Sequence, residues 1–387
     1  MSTDLGQRLR EGGSRTRRAA TPRLPVLPAR LSRAGAGSAI GWDIGGAHLK
    51  AARVDAAGRL AVVVQEPCAL WQGLSELDRA FLRAREKLGD AARHAFTMTG
   101  EMTDLFADRR QGVRALCDWI QGAVEADRAR VFTLAHGFVP PSVAATCWRE
   151  TASANWACAA SWLTKHVDHA VFVDVGSTTT DIVPIAASRV AARGRTDHER
   201  LVAGELVYTG VVRTPIMALA REVDFRGRSV PLMAELFATM ADVHRLTGDL
   251  VPAFDQAATA DGRPRTRKAS AARLARMIGA DAGDASLAEW TVLARRFAEI
   301  QRESLRAAWE RVAAAVPEVR DAPLVAAGAG AFLVRALANT VGRDVHHFSE
   351  FVPRASSRAR LPVAIDVAAP AAAVGLLARQ APPVLTE

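Results

Sequence analysis

One tyrosine, Tyr208, and four cysteines are found among 387 residues. The cysteines, Cys68, Cys117, Cys147 and Cys158, are widely spaced with no C-x-x-C pair. That excludes a disulfide framework and gives no zinc signature, so reduced core or near-surface thiols are expected. No run of ~18 apolar residues appears, and the amino-terminal segment lacks the apolar stretch of a secretory signal, so neither a membrane span nor export is expected. A cytoplasmic location follows as the expectation. Aromatic side chains make up only 6%, and the basic stretch 263–268 has none interleaved for base stacking, which argues for an exposed loop over a nucleic-acid contact.

What is present is ordinary globular material, 49% hydrophobic and 24% charged, long enough for two to three domains at ~150 residues each. The net charge of +9 is unevenly placed. Residues 1–38 hold eight arginines against Asp4 and Glu11, leaving the rest of the chain nearly balanced. This Gly-, Pro-, Ser- and Arg-rich stretch has no apolar period and reads as a disordered basic tail. Its composition resembles a mitochondrial transit peptide, but Pro22, Pro25 and Pro28 interrupt any amphipathic helix.

From residue 39 the pattern changes. Strands are predicted at 39–44, 49–54 and 60–64, separated by a Gly-Gly turn and by Asp55-Ala56-Ala57-Gly58. A helix over 75–88 with Ser75 as N-cap, a strand over 94–99, helices at about 103–107 and 112–127, a strand over 131–134 and a helix over 151–165 complete a first half. At Ala170 the opening pattern returns as Asp174-Val175-Gly176-Ser177-Thr178-Thr179-Thr180-Asp181 between two apolar strands. A repeat at about 130 residues points to two related halves facing a cleft, because solenoid periods run ~20–50. Beyond Pro215 the pattern is mostly helical. A strand at 324–327 then leads through Gly328-Ala329-Gly330 into a helix. The fold class expected is α/β, with one half over 39–167, to which a helix at 370–379 returns, and the other over 168–369 with a helical insertion at about 215–320.

A Gly-rich turn between strands brings backbone N–H groups close to an anion, and phosphate is the natural guest. An aspartate ending the preceding strand suits hydrated Mg²⁺, which takes one or two carboxylates beside phosphate oxygens. Asp43 and Asp174 are so placed and are the candidate metal residues. Gly45, Gly46, Gly176, Ser177, Thr178 and Thr179 are the candidate phosphate-binding residues, and Lys50 offers a point charge.

The Asp43 to Lys50 stretch, the Asp174 to Asp181 stretch and Gly328-Ala329-Gly330 together resemble the two phosphate motifs and the adenosine motif of the actin/sugar-kinase/heat-shock (ASKHA) superfamily. Within it, Gly100-Glu101-Met102-Thr103-Asp104, Ser153-Ala154-Asn155-Trp156 and Gly204-Glu205-Leu206-Val207-Tyr208 are similar to the hydantoinase/oxoprolinase-related branch of tetrahydromethanopterin-linked one-carbon-transfer proteins. The resemblance runs from about residue 39 to 379 and implies two actin-like, ribonuclease H-like halves around a phosphate cleft, with Gly328 and Gly330 added to the phosphate- or nucleotide-binding residues. Where hydantoinase-like relatives carry a threonine after the Gly-Gly pair, this chain has Ala47, which removes a hydroxyl and weakens a hydantoinase reading.

For activity, the resemblance implies a transferase of methylofuran biosynthesis. It would condense (aminomethyl)furanmethanol diphosphate with the phenol of a tyramine- or tyrosine-derived acceptor, releasing pyrophosphate with Mg²⁺ as cofactor. The alternatives are an ATP-dependent small-molecule kinase or hydantoinase-like amidohydrolase using the same cleft, and a non-catalytic actin-like assembly protein. Lys50 would serve the leaving group and Asp181 the second turn or metal water. Glu101 or Asp104 would take the phenol proton, against a plain reading as helix N-terminal charges. His48 is a further base candidate. Tyr208 and Arg213 are assigned to packing and to a solvated surface ahead of acceptor binding, and His346-His347 is read as structural because neighbours on a strand face opposite sides. The expected partners are a small-molecule diphosphate and a phenolic acceptor, with no nucleic acid and no membrane; a homodimer is the assembly considered. The basic tail is expected to be extra sequence read from an upstream start codon; mass spectrometry of the native N-terminus checks this, and peptides from residues 1 to 30 would reject it.

Overall fold

Residues 39–67 run out and back as three strands, β1 (Ala39–Ile44), β2 (His48–Val54) and β3 (Leu60–Pro67). The reversals fall where the sequence has glycine, including Gly58 at φ 81°. β4 (Arg93–Met98), β5 (Ala129–Thr133) and β6 (Gly137–Val139) complete a six-stranded sheet in the order β3-β2-β1-β4-β5-β6, with β1, β4 and β5 parallel. The computed structural model describes residues 37–356 and 361–380. The tail predicted to be disordered therefore lies, up to residue 36, outside the described residues.

The second sheet repeats that plan. β7 (Ala170–Val175) and β8 (Thr180–Ala186) form the hairpin, and two short pieces, β9 (Arg189–Val190) and β10 (Leu206–Val207), both pair with β8. After a small separate hairpin of β11 (Glu222–Phe225) and β12 (Arg228–Pro231), β13 (Leu324–Ala327) and β14 (Val345–His347) add in parallel on the other side of β7. The order β10-β8-β7-β13-β14 matches β3-β2-β1-β4-β5 strand for strand. The expected α/β architecture of two actin-like, ribonuclease H-like halves is thus present. β1 and β7 are buried along their whole length. Helices cover both faces there, which is why these strands read as continuous apolar runs and not as alternation.

The helix Ala369–Gln380 packs on β1, β2 and β4 of the first sheet. Its approach is so close that a Cβ on Gly41 would fall on the carbonyl oxygen of Ala371 and the amide nitrogen of Gly375. Residues 216–300 form a core of their own from Trp290, Phe297, Leu274 and neighbours, along the 29-residue helix Leu287–Ala315. Among the described residues no single helix is long and apolar enough to cross a membrane; the apolar pair Leu361–Val367 and Ala369–Gln380 bends by 92°. The four cysteines are unpaired.

Several local expectations are corrected. The first helix is Leu74–Leu88 with Gly73 at its N-cap, so Ser75 lies inside the first turn. No helix forms over 103–107; a short 3-10 turn, Gly100–Met102, precedes the helix Arg109–Ala123, whose cap is Asp108, accepting from the Gln111 amide at 2.7 Å. The helix predicted over 151–165 is two pieces, Trp148–Thr151 and Asn155–Leu163, broken where Ser153 adopts φ 50°. The β11–β12 hairpin interrupts the helical stretch after Pro215, turning at Arg226 (φ 57°) and Gly227 (φ 72°). The basic stretch is partly helix, because Arg267–Met277 begins inside it.

Two glycines give opposite expectations. Gly41→Ala forces apart backbone atoms that have no room to yield and lowers unfolding stability by ~1–3 kcal/mol or more. Gly122→Ala, near the end of Arg109–Ala123 with open space around it, raises stability by roughly 0.5–1 kcal/mol. Denaturant titration of both variants reads the contrast.

Candidate functional site

The two hairpin turns are closed by equivalent bonds. Gly45 N–H donates to His48 O at 3.0 Å, and Gly176 N–H donates to Thr179 O at 2.8 Å. Each turn is backed by a segment that only glycine allows so near. Gly210 lies under the second turn, where a Cβ would strike Ser177 and Thr178, and Val211, Val212 and Arg213 donate backbone N–H groups to Gly176 O and Ser177 O. These bonds fix the turn while leaving the Ser177, Thr178 and Thr179 side chains at the cavity.

That cavity, about 530 Å³, lies between the halves. The first half contributes Asp43, Gly45, Gly46, Lys50 and Asp104 to its wall, and the second contributes Asp174, Gly176, Ser177, Thr178, Thr179 and Asp181. Eleven of the fourteen predicted site residues are thereby brought together. Strand register explains the pairing of charges: Asp43 stands opposite Lys50 across β1 and β2, and Asp174 opposite Asp181 across β7 and β8. Arg200, itself buried, supplies the missing positive charge by donating from Nη1 to Asp181 Oδ1 at 2.6 Å and from Nη2 to Glu205 O at 3.0 Å.

Burial dominates the electrostatics. It raises Asp43 from the ordinary 3.8 to about 6, with Lys50 opposing and Asp181 adding to the rise. It raises Asp174 to about 7, again opposed by Lys50 and aided by Asp181 and Asp43. Asp181 is also raised by burial, against the pull of Arg200. His48 moves the other way, down to about 4, through burial and the nearby Lys50 and Arg213 cations. Its imidazole is neutral and too weak a base at neutral pH for the proton-accepting role considered for it.

The remaining predicted residues fall elsewhere. Gly328 and Gly330 do not line the cavity. Their missing side chains are taken up by packing on β7, since a Cβ on Gly328 would strike Val175 O and the Asp174 carboxylate, and one on Gly330 would strike the Val175 side chain. Glu101 is buried and is not among the residues lining the cavity; it stands in the first turn of the 3-10 segment Gly100–Met102, whereas Asp104 precedes the helix that begins at Arg109 and is no helix N-terminal charge. Tyr208 is no packing residue; it is 61% exposed and lines the cavity. Arg213 also lines it, with its guanidinium 5.4 Å from the ring centroid of Trp71 on the opposite half. His346 and His347 do part ways, His346 to Glu350 and His347 to Asp366.

Sequence reasoning passed over Asp197 and Arg109. Asp197 lines the cavity and accepts from Arg109 Nη2 at 2.6 Å, joining the two halves. The Thr196/Glu199 capping box marks that helix start and was the signal available, but a capping box alone says nothing about a cleft.

Among the described residues no group of three or more His, Cys, Asp or Glu is arranged to cage a metal. The donor set suits a different kind of ion. Asp43 Oδ1 is buried with no hydrogen-bond partner, and two carboxylates beside two phosphate-type turns match the habits of hydrated Mg²⁺.

Two proteins named (4-{4-[2-(gamma-L-glutamylamino)ethyl]phenoxymethyl}furan-2-yl)methanamine synthase are similar to this chain. The one from Methanocaldococcus jannaschii is 29% identical over 243 residues, 62% of this chain and 72% of that protein. The one from Methanococcus vannielii is 32% identical over 131 residues, 34% of this chain and 59% of that protein. Among solved structures, nucleotide-free acetone carboxylase gives a TM-score of 0.48 at 12% identity, covering 79% of this chain and 68% of that one. The hydantoinase/oxoprolinase family model matches residues 93–357, well over half the sequence, taking in the second sheet and strands β4 to β6 of the first. The chain therefore belongs to the hydantoinase/oxoprolinase family.

Proposed function

We propose that this protein is a transferase of methylofuran biosynthesis that joins a furylmethyl diphosphate to a phenolic hydroxyl, making an aryl ether and releasing pyrophosphate. The observation that carries the reading is the convergence of both Asp-x-Gly turns and Lys50 on one cavity. It is supported by two similar proteins whose name describes a phenoxymethyl furan product.

The chemistry asks for charge management more than for a strong nucleophile. The furylmethyl carbon–oxygen bond breaks with its electron pair leaving on pyrophosphate, and the ring delocalises the resulting cation. The phenol oxygen then bonds to that carbon as its proton passes to a base. Groups fixed where charge develops supply the largest catalytic effect. The Gly46 amide, the Ser177, Thr178 and Thr179 hydroxyls and Lys50 would take the phosphate oxygens, at turns that Gly45 and Gly176 close with their own N–H groups. Asp43 and Asp174 would hold Mg²⁺, which would supply positive charge to offset that developing on the leaving diphosphate. Asp181, tied to Arg200, holds the second turn in place. Tyr208, Trp71 and Arg213 line the same cavity and would meet an aromatic acceptor. The glycines that would receive adenosine are packed against β7, so nothing in the cavity favours the ATP-dependent alternatives.

Purified protein with Mg²⁺ is expected to release pyrophosphate only when both (aminomethyl)furanmethanol diphosphate and a tyramine-type phenol are present; release of inorganic phosphate from ATP instead would overturn the reading. Lys50→Ala is expected to cut kcat by ~10²–10³-fold in the same assay.

The raised carboxylates set a pH dependence with a definite sign. In metal-free protein Asp43 and Asp174 favour the fold fully below about pH 4, and that contribution is lost as pH rises through about 6 and 7. Mg²⁺ binding must displace those protons. The increase in Tm on adding Mg²⁺ is therefore expected to be larger at pH 8 than at pH 5.5 and to vanish in Asp43→Asn/Asp174→Asn; differential scanning fluorimetry measures both.

A further inference from the structure

The wall of the cavity also holds a serine in an unfavourable backbone conformation. Ser153 has φ 50°, a region that costs a non-glycine residue of order 1–3 kcal/mol and is retained when surroundings enforce it, often at functional sites. Its side chain lines the cavity, while its hydroxyl donates backward, to Glu101 Oε1 at 2.8 Å, with Asp197 Oδ2 as the longer alternative at 3.2 Å. With the proton given to Glu101, which does not line the cavity, the Oγ lone pairs can accept from a hydroxyl inside it.

Behind the serine, Glu101 is fully enclosed, and its Oε2 has no hydrogen-bond partner. Two charged groups face it from neighbouring elements: Asp197 at the start of Asp197–Ala203 and Arg109 at the start of Arg109–Ala123, paired with each other at 2.6 Å. Asp197 thus has its charge offset and Glu101 does not. Burial, with Asp197 adding to it and Ser153 and Arg109 opposing, brings the Glu101 carboxyl to about 7. A base is most effective when its pKa lies near the working pH.

We propose that Ser153 and Glu101 form a proton-accepting pair for the cavity, in which a substrate phenol gives its proton to Ser153 Oγ as the Ser153 proton passes to Glu101 Oε1. This rests on the aryl-ether reading above. The phenol oxygen is left with the electron pair that bonds to the furylmethyl carbon, and the serine ends with the one proton it began with. Ser153 is the group that touches substrate, and Glu101 acts through it.

The test is steady-state condensation, followed by pyrophosphate release against pH, in wild type, Ser153→Gly, Glu101→Gln and Asp197→Asn. Glycine accepts φ 50° without strain, so Ser153→Gly keeps the backbone and removes only the hydroxyl. The expected result is a wild-type kcat that rises through about pH 7. Ser153→Gly and Glu101→Gln should each lower kcat ~10²-fold or more at pH 8 and flatten that rise, with KM for both substrates within about twofold of wild type. Should Glu101→Gln fail to fold, Ser153→Gly decides alone. Wild-type kcat or an intact pH rise in Ser153→Gly overturns the pair while leaving the transferase reading standing, as does a rise that survives in Glu101→Gln and is lost in Asp197→Asn. A wild type that does not condense the two substrates overturns both.

Discussion

Three aspartates enclosed in one cleft with too little positive charge to balance them set the terms for everything around them. Asp43, Asp174 and Asp181 each lie nine-tenths or more out of solvent; Asp181 pushes the proton affinity of the other two upward, and Asp43 adds to that of Asp174. An unpaired buried anion is among the most costly things a fold can hold, and it is retained only where protonation or a partner relieves it. Arg200 is committed to Asp181. That leaves Lys50 between two aspartates, so the cleft has an electrostatic deficit of positive charge. A divalent cation fills such a deficit, and a polyanion can then bind beside it without meeting bare carboxylates.

The two halves share a backbone plan and differ in how they handle charge. The position taken by Lys50 in the first hairpin is taken by Asp181 in the second, each directly across from the strand-terminal aspartate. In the second half the countercharge is imported from the helix Asp197–Ala203, where Arg200 also lies over the Trp156 ring at 4.1 Å. One half thus presents an ammonium to the cavity and the other a guanidinium tied to Asp181 and to the Glu205 carbonyl. Two turns of one backbone plan therefore carry different charge to the same cavity.

The strands and both turns were legible in the sequence because buried strands are continuous apolar runs and the turns need glycine at fixed places. Helix ends were less so, since Gly73 and Asp108 cap helices that propensity alone would start elsewhere. The β11–β12 hairpin is short and largely polar, and its Arg226-Gly227 turn was its one local sign. Gly328 and Gly330 illustrate a limit of motif reading. A glycine can be required for approach to a ligand or for approach to another strand, and only the packing of β13 against β7 separates the two. Likewise, Glu101 stood out as a carboxylate of interest, but that Ser153 stands between it and the cavity depends on a contact between residues 52 apart in sequence.

The seating of Ala369–Gln380 on β1 has a consequence for how the molecule is made. The face of the first sheet that holds β1, β2 and β4 is covered by this helix through the Gly41–Gly375 approach, and the apolar core there includes Ala371, Ala372 and Val374. Residues translated first are therefore left with an uncovered hydrophobic face until residues translated more than three hundred positions later leave the ribosome. The apolar face of the first sheet is therefore completed by a segment remote in sequence, and its closure waits on the helix Ala369–Gln380.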